Sequence, residues 1–132
     1  MRITADTNVL IRAVVADDPA QSQAASAALR AAEQIAVAVP ALCEFVWVLR
    51  RVYSFPVAEI SAAIRALMAA GNVRLDRAAV EAGLLQLEAG GDFADAVIAH
   101  QGLWLGGDTY LSFDRQAIAL LQQRGIAAVL LR

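Results

Sequence analysis

Seven residues near the start of the chain, Arg2-Ile3-Thr4-Ala5-Asp6-Thr7-Asn8, constrain the fold more than any other stretch. A short β-compatible run stops at an acid and two small polar residues, and Val9-Leu10-Ile11 then begins a helical pattern. The stretch reads as a strand running directly into a helix, with Asp6 at the junction. In an open parallel sheet the carboxyl ends of the strands face the crevice where ligands bind, so an acid at that point is a candidate site residue. The position also suits a helix cap, in which Asp6 or Thr7 accepts a bond from an orphan backbone N–H. Acids at matching places elsewhere in the chain have to decide between the two.

The remaining chain alternates helix and strand in the same way. A helix from Val9 to Val15 ends at Asp17-Asp18-Pro19, where Asp18 or Pro19 starts an Ala-rich helix reaching about Gln34. Ile35 to Val39 is a continuous apolar run, as expected of a parallel strand covered on both faces. Pro40 ends it and opens a helix from Ala41 to Tyr53; after Ser54-Phe55-Pro56 a second amphipathic helix runs from Val57 to Ala70. Val73-Arg74-Leu75 is a short strand, and Asp76 caps a helix from Arg77 to Ala89 that stops at Gly90-Gly91. Asp92 to Asp95 opens the next helix, which ends near Leu105. Tyr110 to Phe113 is a strand, Asp114 starts a helix through Gln123, and Ala127 to Leu131 is the last strand. Such alternation implies a parallel sheet with right-handed crossovers and helices on both faces. With 132 residues and no repeat, linker or low-complexity tract, the chain reads as a single domain, 1-132.

Charge and apolar content exclude several classes of function. Hydrophobic residues make up 59% of the chain, yet the longest clean apolar run, Ile35 to Cys43, contains Pro40 and is too short to span a bilayer. Neither a membrane helix nor a secretory signal is expected, which points to the cytoplasm. The lone Cys43 forms no internal disulfide and has no metal-ligand spacing, and His100 is equally solitary, expected to be satisfied or exposed on its helix. All 11 cationic side chains are arginines, against 13 acids, for a formal net charge of −2. That balance gives no global electrostatic footprint for nucleic acid, so any such role rests on local arginines or bound cations.

The acids can now be placed along the strand-end edge. Asp6 follows the first strand and Asp114 the Tyr110 strand; Glu44 lies early in the helix after the second strand, and Asp95 in the first turn of the helix before the Tyr110 strand. Each has an ordinary explanation: Glu44 could supply polarity to an exposed helical stripe, Asp95 could complete a capping box with Asp92, and Asp114 could be an N-cap. Jointly those explanations leave the shared edge unexplained. Two like charges about 4 Å apart repel by roughly 4 kcal/mol at an effective dielectric near 20, so an acidic cluster needs protons or cations. Oxygen ligands of this kind suit magnesium or manganese. Asp17, Asp18 and Asp108 read as turn or cap residues only.

Asp6-Thr7-Asn8, Glu44 after Pro40, Asp92-Phe93-Ala94-Asp95-Ala96 and Ser112-Phe113-Asp114 together resemble the PIN-domain nucleases, specifically the VapC toxins of type II toxin-antitoxin systems. The resemblance covers essentially the whole chain and is carried by order and spacing rather than by one motif. It implies an α/β fold, a PIN-like three-layer α/β/α sandwich with a five-stranded parallel sheet, and a magnesium-dependent endoribonuclease in which manganese substitutes. It places the acidic quartet on Asp6, Glu44, Asp95 and Asp114, with Thr7, Asn8, Ser112 and Asp92 in support. Metal-activated water would then cleave structured RNA to a 5′-phosphate and a 3′-hydroxyl, without a histidine or lysine base. Arg12, Arg50, Arg51 and Arg115 are candidate RNA contacts. The resemblance also implies a VapB-like antitoxin and a homodimer, and the aromatic residues Phe45, Trp47, Tyr53, Phe55 and Trp104 favour an assembly that hides some of them. The rival readings are a non-toxic PIN-type RNA-processing nuclease and a catalytically silent oligomeric interaction protein. A phospho-receiver domain would want a lysine after a late strand, and the chain has none.

Overall fold

In the computed structural model, which describes residues 1–132, the chain forms seven helices and five short strands in the alternating order expected. It resolves into two compact units, Met1–Asp76 and Arg77–Arg132.

The first unit holds β1 (Arg2–Thr4), α1 (Thr7–Val14), α2 (Pro19–Ala31), β2 (Gln34–Ala36), α3 (Val39–Arg51), α4 (Val57–Ala69) and β3 (Val73–Arg74). Its three strands form a parallel sheet in the order β1-β2-β3, with Ile3 opposite Ile35 and Ile35 opposite Val73. Backbone bonds from Ala5 N–H to the Ala36 carbonyl (3.0 Å) and from Val37 N–H to the Arg74 carbonyl (2.9 Å) carry the ladder past the strand ends, and so fix the chain just before Asp6. Helix α3 begins at Val39, earlier than its sequence pattern indicates, with Pro40 in the first turn where a missing N–H leaves nothing unpaired. The second strand is correspondingly shorter than the apolar run Ile35 to Val39. On α3 the spacing Leu42, Phe45, Val46, Leu49 puts one stripe into the core, and Ile60 and Ile64 do the same from α4. Full burial of each such side chain contributes about 1.5–3 kcal/mol.

The second unit holds α5 (Arg77–Glu88), α6 (Phe93–Trp104), β4 (Tyr110–Ser112), α7 (Arg115–Gln123) and β5 (Ala128–Leu130). Strands β4 and β5 pair in parallel, Tyr110 opposite Ala128 and Ser112 opposite Leu130. Ala96, Ala99, Ile118, Leu121 and Ala128 form a buried cluster against which Tyr110, Ile126 and Leu130 pack. Helices α5 and α6 approach closely because position 83 is glycine: a Cβ there would lie 2.5 Å from the Phe93 ring, which is itself fully buried. Gly90, at φ +98°, turns the chain out of α5 in a conformation that a side chain would strain. Gln86 is buried and donates its amide to the Ala117 carbonyl at 3.4 Å.

The single five-stranded sheet implied by the resemblance is not what forms. All the pairs are parallel, but three strands pair in one sheet and two in another. The strands are only two or three residues long, so each ladder has few rungs and is completed by local partners. Alternation of elements reveals that strands exist and run parallel; it does not encode which strands bond. His100 also departs from expectation, since its Nε2 is buried and has no hydrogen-bond partner.

Candidate functional site

Asp6, two residues past the end of β1, is placed by backbone alone. Asp6 has extended torsions (φ −71°, ψ 155°), and its carbonyl accepts bonds from Val9 N–H (3.0 Å) and Leu10 N–H (3.3 Å), which starts α1. Its carboxylate makes no cap bond and is exposed. Capping therefore does not account for an acid here. Thr7, in the first turn of α1, is buried, and Asn8 is exposed. Glu44 lies on the exposed stripe of α3 together with Trp47 and Arg51, three and seven residues on, opposite the buried stripe. Its position is explained by polarity on that face as well as by a ligand role. Arg50 is half-buried near the end of the same helix.

Arg12 and Asp17 form a small network of their own. The Arg12 guanidinium bonds Asp17 at 2.6 Å, and the Tyr53 hydroxyl donates to the other Asp17 oxygen at 3.2 Å. This pairing raises the Arg12 pKa, through the hydrogen bond first and the Asp17 charge as well, partly offset by burial. Arg12, a candidate RNA contact by sequence, is thus engaged within its own unit, and Asp17 is more than a turn residue. Asp18 is a cap as expected, accepting from Gln21 N–H at 3.1 Å.

In the second unit three acids share one electrostatic neighbourhood. Asp92 is the N-cap of α6, its side chain accepting from Ala94 N–H at 3.3 Å. Asp114 caps α7 in the same manner, accepting from Ala117 N–H at 3.0 Å, and Ser112 Oγ accepts from the Asp114 N–H at 3.0 Å. The serine thus steadies the backbone of the last acid. Between them stands Asp95 in the first turn of α6, half-buried, with Oδ1 accepting a 3.0 Å bond from the Tyr110 hydroxyl. Burial pushes the Asp95 carboxyl up, the tyrosine hydrogen bond opposes that, and the charges of Asp92 and Asp114 push it further up. The Tyr110 phenol is itself pushed up to about 12, by burial first, then by its bond to Asp95 and that residue's charge. Sequence reasoning missed Tyr110. The available signal was a phenol opening the strand that delivers the last acid.

The quartet is divided between the units, with Asp6 and Glu44 in the first and Asp95 and Asp114 in the second. No three His, Cys, Asp or Glu side chains gather closely enough to hold an ion by themselves. Magnesium does not demand such a cage, because it is usually held by one or two carboxylates with water and substrate phosphate completing the shell. The donors suit a hard cation: they are all carboxylate oxygens, and the charge crowding at Asp95 is of the kind that a cation relieves. A nearby pocket of about 260 Å³, lined mostly by apolar residues such as Ile98, Ala99, Leu103 and Ile126 together with Asp108 and Thr109, includes none of Asp92, Asp95 and Asp114.

A family model for the PIN domain matches residues 3–124, a span that includes every one of the acids described above. The chain belongs to the PIN-domain family. PIN domains are generally nucleases, act on RNA and typically use a divalent metal. A comparison with curated proteins finds no match. No helix of this PIN domain is long and apolar enough to cross a membrane. Arg51 on α3 and Arg115 at the start of α7 are exposed, as are Glu44 and Asp114.

Proposed function

We propose that this chain, a single PIN domain over residues 1–132, is a magnesium-dependent endoribonuclease and the toxin of a type II toxin-antitoxin pair. Asp6, Glu44, Asp95 and Asp114 are its catalytic acids, with Thr7, Asn8, Ser112 and Asp92 holding them. The observation that carries this reading is the crowding of Asp95 by Asp92 and Asp114 within a family of nucleases. When bound, magnesium or manganese supplies Lewis-acid stabilisation of the phosphate and lowers the pKa of a water. The chain's own residues do the rest. Asp92 and Asp114 stay fixed through their helix caps, Ser112 holds the backbone of Asp114, and Tyr110 holds Asp95. Arginines such as Arg50, Arg51 and Arg115 meet the RNA backbone, and products carry a 5′-phosphate and a 3′-hydroxyl.

A nuclease of this type in the cytoplasm requires restraint by another molecule, and a VapB-like antitoxin that inserts an arginine fork among the acids would compete with the metal. The exposed apolar side chains of Trp47, Trp104, Leu105 and Phe113 are suited to a homodimer or to that partner. Phe45 is excluded from such a role because it is buried.

The test is cleavage of structured RNA by the purified chain with magnesium, with manganese and with chelator, alongside expression in cells. Metal-dependent cleavage with growth arrest is expected, and both should vanish in Asp6→Asn. Cleavage without arrest would leave a PIN-type RNA-processing nuclease. Absence of cleavage under every condition would leave a silent interaction protein.

A further inference from the structure

Tyr110 and Asp95 are fifteen residues apart in sequence, and each is anchored independently of their mutual bond. Tyr110 opens β4: its N–H donates to the Ala127 carbonyl at 2.9 Å, its register partner is Ala128, and it packs on the buried cluster of Ala96, Ala99, Ile118, Leu121 and Ala128. Asp95 is held from the other side, since the next residue, Ala96, belongs to that same cluster and is almost fully buried. The hydroxyl is therefore a donor fixed by the core. It meets Oδ1 at 3.0 Å and leaves Oδ2 to other partners.

We infer that Tyr110 is a positioning residue for Asp95, fixing the carboxylate so that its second oxygen is presented to a divalent cation. The inference rests on the nuclease reading above and adds a residue to it. A carboxylate free to rotate must be ordered when it binds a cation; one already held by a hydroxyl is ordered beforehand. Groups that orient metal ligands in this way are typically worth 10–100-fold in metal affinity. A purely structural bond, tying α6 to β4, would instead change stability and leave metal affinity alone.

The experiment is a titration of the full-length chain with manganese, read by isothermal calorimetry and by water-proton relaxation. Tyr110→Phe, checked for an unchanged circular dichroism spectrum, should bind manganese about 10-fold more weakly. In an Asp95→Asn background the same substitution should have no further effect, because the hydroxyl acts only through that carboxylate. Equal affinity in folded Tyr110→Phe, or a loss that persists undiminished without Asp95, overturns the inference. A second measurement needs no variant. The chain has only two tyrosines, so in 3-fluorotyrosine-labelled protein the fluorine resonance of Tyr110 should move on adding magnesium, with Tyr53 as the stationary control. A Tyr110 resonance unmoved at saturating metal also overturns it. If the unaltered chain binds no manganese and cleaves no RNA, the nuclease reading falls and takes this inference with it. If it binds and cleaves while Tyr110→Phe is indistinguishable from it, only the role of Tyr110 falls.

Discussion

Asp6 and Asp114 occupy the same place in the pattern of the chain, each between a short strand and the helix that follows, yet their side chains behave differently. Asp114 accepts a cap bond from Ala117 N–H and receives a serine beneath its own N–H, whereas Asp6 starts its helix through its backbone carbonyl and keeps its carboxylate free of capping. Glu44 and Asp95 differ in the same sense. Glu44 stands on an exposed helical face, while Asp95 is half-buried, hydrogen-bonded and crowded by two other acids. Asp95 and Asp114 are tied into their scaffold by side-chain bonds, and Asp6 and Glu44 stand on exposed backbone positions. Capping is a sufficient reason for an acid at position 114, and it is no reason for one at position 6.

The largest expected effect tests whether this difference matters to catalysis. If the untied and tied acids serve one reaction, Asp6→Asn and Asp95→Asn should each lower metal-dependent RNA cleavage by about 100-fold or more, the upper end of what even indirect ligand partners contribute. Single-turnover cleavage of a structured RNA measures it. Loss in only one of the two variants would break the comparison and confine the chemistry to one unit.

Next in size is a stability contrast. Asp114→Ala removes a cap bond and should cost about 1 kcal/mol, while Asp114→Asn keeps an acceptor and should cost much less. Asp6→Ala removes no cap bond, so its unfolding midpoint in chelator should stay close to that of the unaltered chain. Thermal unfolding of the three variants side by side decides the matter, and a loss in Asp6→Ala equal to that in Asp114→Ala would contradict the structural assignment.

A smaller effect should depend on pH. Burial, followed by Asp92 and Asp114, raises the Asp95 pKa above its ordinary value of 3.8, so the folded protein binds the proton more tightly than the unfolded chain does. Ionised Asp95 therefore destabilises the metal-free fold above its raised pKa, and that penalty is relieved as pH falls through this pKa toward 3.8. Asp95→Asn should accordingly be more stable than the unaltered chain at neutral pH in chelator, with the advantage shrinking below the raised pKa. Denaturant unfolding at neutral and acidic pH reads the difference, and a constant offset would refute it.

The smallest effect concerns the first unit alone. Asp17 holds Arg12 and Tyr53, so Asp17→Asn should lower the melting temperature slightly, as expected for an exposed ion pair, and lose that effect at high salt. RNA cleavage should be unaffected. A large loss of cleavage would move Asp17 from scaffold to site.

Much of this protein was determined by the sequence because much of it is local. Asp18, Asp92 and Asp114 cap helices because a side-chain oxygen can reach an N–H two or three residues on, and that relation is visible in any short window. The buried stripe of Leu42, Phe45, Val46 and Leu49 follows from helical periodicity in the same way, as does the alternation that sets seven helices among five strands. Tertiary structure alone decided that the strands pair as three and two, that Tyr110 meets Asp95, and that Asp17 joins Arg12 to Tyr53. The tyrosine contacts span 15 and 36 residues, and the strand ladders join segments far apart along the chain. Their partners are chosen by packing and backbone hydrogen bonding across the folded unit, for which no short window of sequence carries the information.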